Sequence, residues 1–282
     1  MGGPARLPVV TAVRILLDFA WKQAVSCLFA VCLFAALAVT SVVPLPIAQY
    51  DAMLIFAVAL TIGLWVAGWE TGREVAVIAA FHLIGLALEI YKVRVGSWSY
   101  PGDGWAVVAG VPLYSGFMYA AVGSYICQAW RRLDFRVTNY HPVLVTAIAV
   151  LLYANFYTHH FWPDARWLLA LAMLIVLGAT RIHYTAGGKR LRMPLSVGFL
   201  LVGGALWVAE NAGTFLGAWR YPNQADVWEL VHTGKVGSWA LLVSLSFALI
   251  ATVKAGEGRL YGTPGDVAAV TLPQSREKPT GA

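Results

Sequence analysis

Two carboxylates in this sequence stand where an ionised group is costly. Glu89 follows a charge-free apolar run over 75–88, and Glu210 follows another over 193–209. Each is then followed by the same residue types at the same spacing. After Glu89 comes Gly96-Ser97-Trp98-Ser99-Tyr100-Pro101, and after Glu210 comes Gly217-Ala218-Trp219-Arg220-Tyr221-Pro222. Glu, Gly, Trp, Tyr and Pro recur at one offset of 121 residues, which Gly116 and Gly237 also keep. A carboxyl group inside an apolar segment must pair, bind a cation or take up a proton. In its protonated form it can act as a general acid near neutral pH. Glu89 and Glu210 are therefore candidate catalytic groups. Trp98, Tyr100, Trp219 and Tyr221 are candidate substrate-binding residues, because aromatic faces stabilise a developing cation. The same aromatics also suit a membrane–water interface, and Gly with Pro suits a turn. That structural reading accounts for the rings but not for a glutamate at the same place in both copies.

Histidines are the remaining candidates for proton movement. His82 lies two helical turns before Glu89 on the same face, with Gly85 between them. A hydrogen-bonded packing role is the alternative for it. His159 and His160 close an apolar run, and as neighbours they point to different faces, so one of them would serve. His160 and His82 are the candidate relays. His232 falls on the same side. Asn211 and Arg220 are polar extras suited to an anionic head group. With six histidines in all and no His-x-x-x-His pair, no metal ligands are assigned. Cys27, Cys32 and Cys127 sit in apolar runs and read as inert thiols. Phosphate loops, dinucleotide fingerprints and Gly-x-Ser-x-Gly elbows are absent. The cofactor is left unspecified.

The elements that hold these residues are helices in lipid. The chain is 59% hydrophobic and 12% charged, against about 25% charged in a soluble domain. A helix crosses the hydrocarbon with about 20 apolar residues, and it satisfies its own backbone hydrogen bonds. Eight runs qualify, near 24–43, 52–69, 74–91, 106–127, 141–158, 165–181, 195–216 and 236–254. The expected fold is all-α: a polytopic transmembrane bundle of about eight spans in two parallel four-helix repeats. Residues 1–22 form an amphipathic N-terminal segment, with Val9, Val13, Leu16 and Leu17 opposite Arg14, Asp18 and Lys22. Residues 23–130 and 137–255 are the two repeats, and 256–282 has the composition of a disordered cytoplasmic tail. The first apolar run continues past Ala36-Leu37-Ala38 to Val43, which predicts a retained span and not a cleaved leader. The net charge of +6 reads as topology and not as nucleic-acid binding. Lysines and arginines favour the inner membrane with both termini cytoplasmic. The glutamate motifs then fall in the outer half.

At these motifs the chain resembles the YoaT-type bacterial integral membrane family. The resemblance rests on the two glutamate motifs, Gly110-Val111-Pro112, Asn155-Phe156-Tyr157-x-His159-His160 and Arg181-Ile182-His183, and it implies no known activity. A more distant similarity is to heterodimer-type lycopene cyclases and carotenoid hydratases. These duplicated membrane enzymes carry an acidic residue, then Gly-x-Trp-x-Tyr or Phe, then a Pro that opens Pro-x-Glu-Glu in the cyclases. Here Pro112 precedes Leu113-Tyr114-Ser115, and the second half has Thr233-Gly234-Lys235-Val236. The paired glutamates are missing, so the resemblance implies the scaffold with Glu89 and Glu210 as its acids, and not lycopene cyclisation. Three functions fit: an intramembrane acid–base enzyme acting on an isoprenoid or other lipid, a proton-coupled carrier of a small solute, ion or lipid, and a non-catalytic membrane partner. Whether the two glutamates share a cavity separates them.

Overall fold

The structure is a computed structural model that describes residues 9–159 and 161–261. Residues 1–8, His160 and the expected tail from 262 onward lie outside the described residues. In chain order the elements are α1 (Val9–Ser26), α2 (Leu28–Val42), α3 (Gln49–Val66), α4 (Gly72–Arg94), β1 (Val107–Val108), β2 (Val111–Pro112) and α5 (Ser115–Arg132). There follow β3 (Arg136–Thr138), α6 (Pro142–Thr158), α7 (Arg166–Leu177), β4 (Arg181–Ala186), β5 (Lys189–Pro194), α8 (Leu195–Phe215) and α9 (Lys235–Gly256).

Local chemistry sets the ends of α4 and α8. At the start of α4 the Thr71 hydroxyl accepts from the Glu74 backbone N–H, and the Glu74 carboxylate accepts from that of Thr71. This reciprocal cap satisfies two donors that no helical carbonyl can reach. At the far end the backbone turns left-handed at Gly96, with φ of 71°, and α8 ends in the same way at Gly217, with φ of 75°. In both, the glycine N–H and the one after it reach back to carbonyls of the last turn: Gly96 to Val93 and Ser97 to Lys92, Gly217 to Thr214 and Ala218 to Gly213. A side chain at either glycine would crowd the following carbonyl, so each motif begins where a helix must stop.

The bundle is built around α5. Ala120, Ile126, Cys127 and Trp130 on this helix are buried. They pack with Phe81 and Ile78 of α4 and Val243, Phe247 and Ile250 of α9 in one core. The pole opposite the two motifs carries an antiparallel sheet, β3-β4-β5, with Thr138 opposite Arg181 and Ala186 opposite Lys189. Its hairpin turns on Gly187-Gly188, both left-handed, as a tight two-residue turn between twisted strands requires. Helix α1 is tied to this turn. The Asp18 carboxylate accepts from the Gly187 N–H at 2.7 Å, and Lys22 donates to the Thr185 carbonyl at 3.0 Å.

The expected all-α fold of eight spans in two four-helix repeats is not supported. Among the described residues four helices are long and apolar enough to cross a membrane, namely α3, α4, α8 and α9; α1 and α2, bent by 60°, make a fifth if they are one span. Helix α7 has 12 residues, about 18 Å at 1.5 Å per residue, well short of the hydrocarbon thickness. Helix α6 is also short of a full span, at 17 residues. Helix α5, which carries Gln128 and ends in Arg131-Arg132, is not apolar enough to be among the four, and its buried apolar residues face the core. The first third of the run expected at 106–127 is the β1–β2 hairpin and not helix. Two small sheets replace segments taken as loops or helix.

Candidate functional site

The residues after Gly96 and Gly217 run toward each other across the bundle. Ser99 and Arg220 pair as an antiparallel bridge, each N–H donating to the other's carbonyl at 3.0 and 2.9 Å. These two residues are equivalent positions of the two motifs. The loop carrying Tyr100 is pinned from α3. Its Gly102 N–H donates to the Tyr50 hydroxyl at 2.8 Å. The buried Asp51 carboxylate accepts from the N–H groups of Trp105 and Ala106 at 3.1 and 2.9 Å.

Glu89 is 5% exposed and accepts three hydrogen bonds. Trp98 Nε1 and the Tyr100 hydroxyl donate to Oε2 at 2.7 and 2.6 Å, and the Tyr119 hydroxyl donates to Oε1 at 2.6 Å. Glu210 is 3% exposed. The Tyr221 hydroxyl donates to its Oε1 and Trp239 Nε1 to its Oε2, the latter at 2.8 Å. Lys235 Nζ lies 3.9 Å from Glu210 Oε1 and donates to the Tyr221 oxygen at 3.0 Å. The two sets of donors interlock. The Trp98 ring meets the Tyr221 ring edge-on at 6.0 Å, and Tyr119 meets Trp239 at 6.5 Å. Burial, and next the carboxylate each one faces, hold the phenols of Tyr100 and Tyr221 well above their ordinary range. Both therefore stay protonated donors at any physiological pH.

Both carboxylates line a single chamber of about 1590 Å³. Its polar end gathers Glu89, Glu210, Lys92, Lys235, Tyr100 and Tyr221. Apolar side chains dominate the rest: Phe34 of α2, Met118 and Val122 of α5, Leu174 of α7, and Phe199 and Leu200 of α8. Glycines set the fit of the polar end. A Cβ at Gly85 would meet the Tyr119 ring at 2.5 Å, and one at Gly213 would meet Trp219 at 2.3 Å.

Of the residues singled out from the sequence, Glu89, Glu210, Trp98, Tyr100, Trp219 and Tyr221 line this chamber, as do His159 and His232. The others stand apart from it. His82 packs on Phe117, ring centroids 4.3 Å apart, across the gap left by Gly116. Asn211 braces its own helix, donating to the Trp207 carbonyl and accepting from the Val231 N–H. Arg220 joins the other motif through its backbone. His160 lies outside the described residues. Tyr119, Trp239, Lys235 and Lys92 were not foreseen as site residues. Lys92 does not pair with Glu89 one turn away; it donates to the Phe156 carbonyl at 2.7 Å. Among the described residues no group of three or more His, Cys, Asp or Glu is arranged to hold a metal ion.

These features define a helical protein with four to five membrane-compatible helices and two buried glutamates in one largely apolar chamber. The chain belongs to the family described as protein of unknown function (DUF817), whose model matches residues 15–247. It is similar to the uncharacterized protein YoaT of Bacillus subtilis (strain 168), with 50% identity over 245 residues, covering 86% of this chain and 93% of that one. No solved structure matches it.

Proposed function

We propose that this protein is an intramembrane acid–base enzyme acting on an isoprenoid or other lipid. In this reading it resides in the inner membrane with both termini cytoplasmic, the polar end of the chamber lying in the outer half. The observation that carries the reading is the placement of Glu89 and Glu210 in one chamber whose remaining wall is apolar. A water-soluble substrate gains little from such a wall, whereas a hydrocarbon chain gains about 25 cal/mol for each Å² it buries.

The wiring suggests separate roles for the two acids. Lys235, Tyr221 and Glu210 form a hydrogen-bonded line. A proton passed from the Lys235 ammonium to the Tyr221 oxygen, as the Tyr221 proton moves to Glu210, leaves Glu210 as a neutral acid able to protonate an alkene or a leaving group. Glu89 is held by three neutral donors, Trp98, Tyr100 and Tyr119. It would oppose the positive charge that develops and then accept a proton, while Trp98 and Trp219 present ring faces to the cation. We also infer that the α4–α5 and α8–α9 helix pairs are related copies. Three things support this: the matched positions of their ends, the shared left-handed glycines, and the bridge between equivalent residues.

The test is to express Glu89→Gln and Glu210→Gln and compare membrane lipid and pigment profiles with the unmodified protein at equal folded amounts. A changed profile in either variant is the expected outcome. Unchanged profiles in both, with solute uptake driven by a pH gradient in proteoliposomes, would replace the enzyme with a carrier.

A further inference from the structure

Three cations in the chamber have no part in the acid–base reading as it stands, or only a share in it. Lys92 is 2% exposed. Its ammonium donates to the Phe156 carbonyl and lies 3.9 Å from the centroid of the Phe156 ring. Among the described residues no carboxylate lies within ion-pair distance of it. The charges that act on it are Lys235 and Arg166, both of its own sign and both on the chamber wall. Lys235 is shared with Tyr221 and Glu210. Arg166 pairs with Asp164 at 3.2 Å, close to the protein surface, and donates to Ser238 at 3.3 Å. An ammonium has three donors, and Phe156 takes one of those on Lys92. A buried cation with no counter-charge and two like neighbours is costly, unless an anion completes the group.

We propose that Lys92, Lys235 and Arg166 form the headgroup site for a phosphate-ester lipid, whose tail lies along the apolar wall between α2, α5 and α8. This rests on the reading of the chamber as a lipid site and names the lipid's class. A phosphate monoester carries close to two negative charges near neutral pH and three acceptor oxygens, one for each cation. The head is thereby held beside Glu89 and Glu210, and the bonds near it are presented to them. Asn211 and Arg220, the sequence's own candidates for such a head group, lie off the chamber wall.

The test uses the purified full chain in a non-ionic detergent, titrated separately with dodecyl phosphate, dodecanol and inorganic phosphate. Tryptophan fluorescence reads the binding, since Trp98, Trp219 and Trp239 line the chamber. Dodecyl phosphate should bind saturably and at least about tenfold tighter than either control, the size of one charge-assisted hydrogen bond. Lys92→Met and Lys235→Gln should each weaken it by about tenfold, and Lys92→Met should also raise the melting temperature by removing an uncompensated buried charge. Equal affinity for dodecanol would overturn the headgroup assignment. Inorganic phosphate binding as tightly as dodecyl phosphate would make the ligand a free anion and overturn the lipid. Unaltered binding in both variants would overturn the residues named. Dodecyl phosphate binding together with unchanged lipid profiles in the glutamate variants would leave the headgroup site standing while the acid–base reading falls.

Discussion

Around Glu89, three neutral donors meet one carboxylate and no cation touches it; around Glu210, two donors are joined by a lysine. The surrounding motif is the same, Gly-x-Trp-x-Tyr-Pro, and the helix ends are built alike. The divergence comes from the helix that follows each motif. Helix α5 contributes Tyr119 to Glu89, and α9 contributes Trp239 and Lys235 to Glu210. A repeated motif thus fixes where a carboxylate sits, while the facing helix decides whether it meets neutral donors alone or a lysine as well.

The strongest test of that contrast is the pair of isosteric amides. Glu210→Gln should lower turnover by about 10²–10⁴-fold, the usual contribution of a positioned acid, and should cost more stability than the change at Glu89, because Lys235 is left without its carboxylate. Glu89→Gln should lower both, since its amide N–H₂ confronts donors and leaves buried groups unpaired at about 1–3 kcal/mol. Thermal unfolding in detergent, followed by fluorescence, separates the two. Equal losses of stability would erase the distinction.

Next in size is Gly85→Ala. The added methyl runs into the Tyr119 ring close to its Cβ, where the side chain cannot swing aside. Such overpacking costs about 1–3 kcal/mol, and it should also disturb Glu89. Gly213→Ala meets only the far edge of Trp219 and should cost less. Melting temperatures of the two variants rank them, and the reverse order would contradict the packing described here.

Tyr119→Phe removes one of three donors to Glu89, and Tyr221→Phe removes the link between Lys235 and Glu210. Each should cost about 1 kcal/mol of stability. Only Tyr221→Phe should change the pH profile of turnover, because only that phenol lies on the proton path. A similar loss of stability, with no change in the pH profile, is expected at the helix ends. Gly96→Ala and Gly217→Ala face open space, so each should cost about 1 kcal/mol for the left-handed backbone alone. Their melting shifts should agree, and unequal shifts would show that the two ends are not built alike.

Much of the carboxylate pole was legible in the sequence, because a glutamate before a helix-stopping glycine and an aromatic turn is a local pattern. The ends of α4, α8 and α9 fall within a few residues of the apolar runs for the same reason. The partners across the chamber were not legible. Tyr119 and Trp239 lie about 30 residues from the acids they serve, and only the rotation of α5 and α9 against their neighbours aims them inward. The number of spans was misjudged because a charge-free run was taken whole as one helix; the run at 106–127 is a hairpin followed by the start of α5, whose Gln128, Arg131 and Arg132 leave that helix too weakly apolar to count. The sheet did leave a signal, the Gly187-Gly188 pair between Arg181–Ala186 and Lys189–Pro194, whose basic residues were read only as topology.

The bridge between Ser99 and Arg220 is made from main-chain atoms alone. The motif differs between its two copies at this very place, serine in one and arginine in the other. A clasp of peptide groups accepts nearly any side chain, so the join between the two loops can persist while the residue standing at it changes. Proline is the exception, having no N–H to offer.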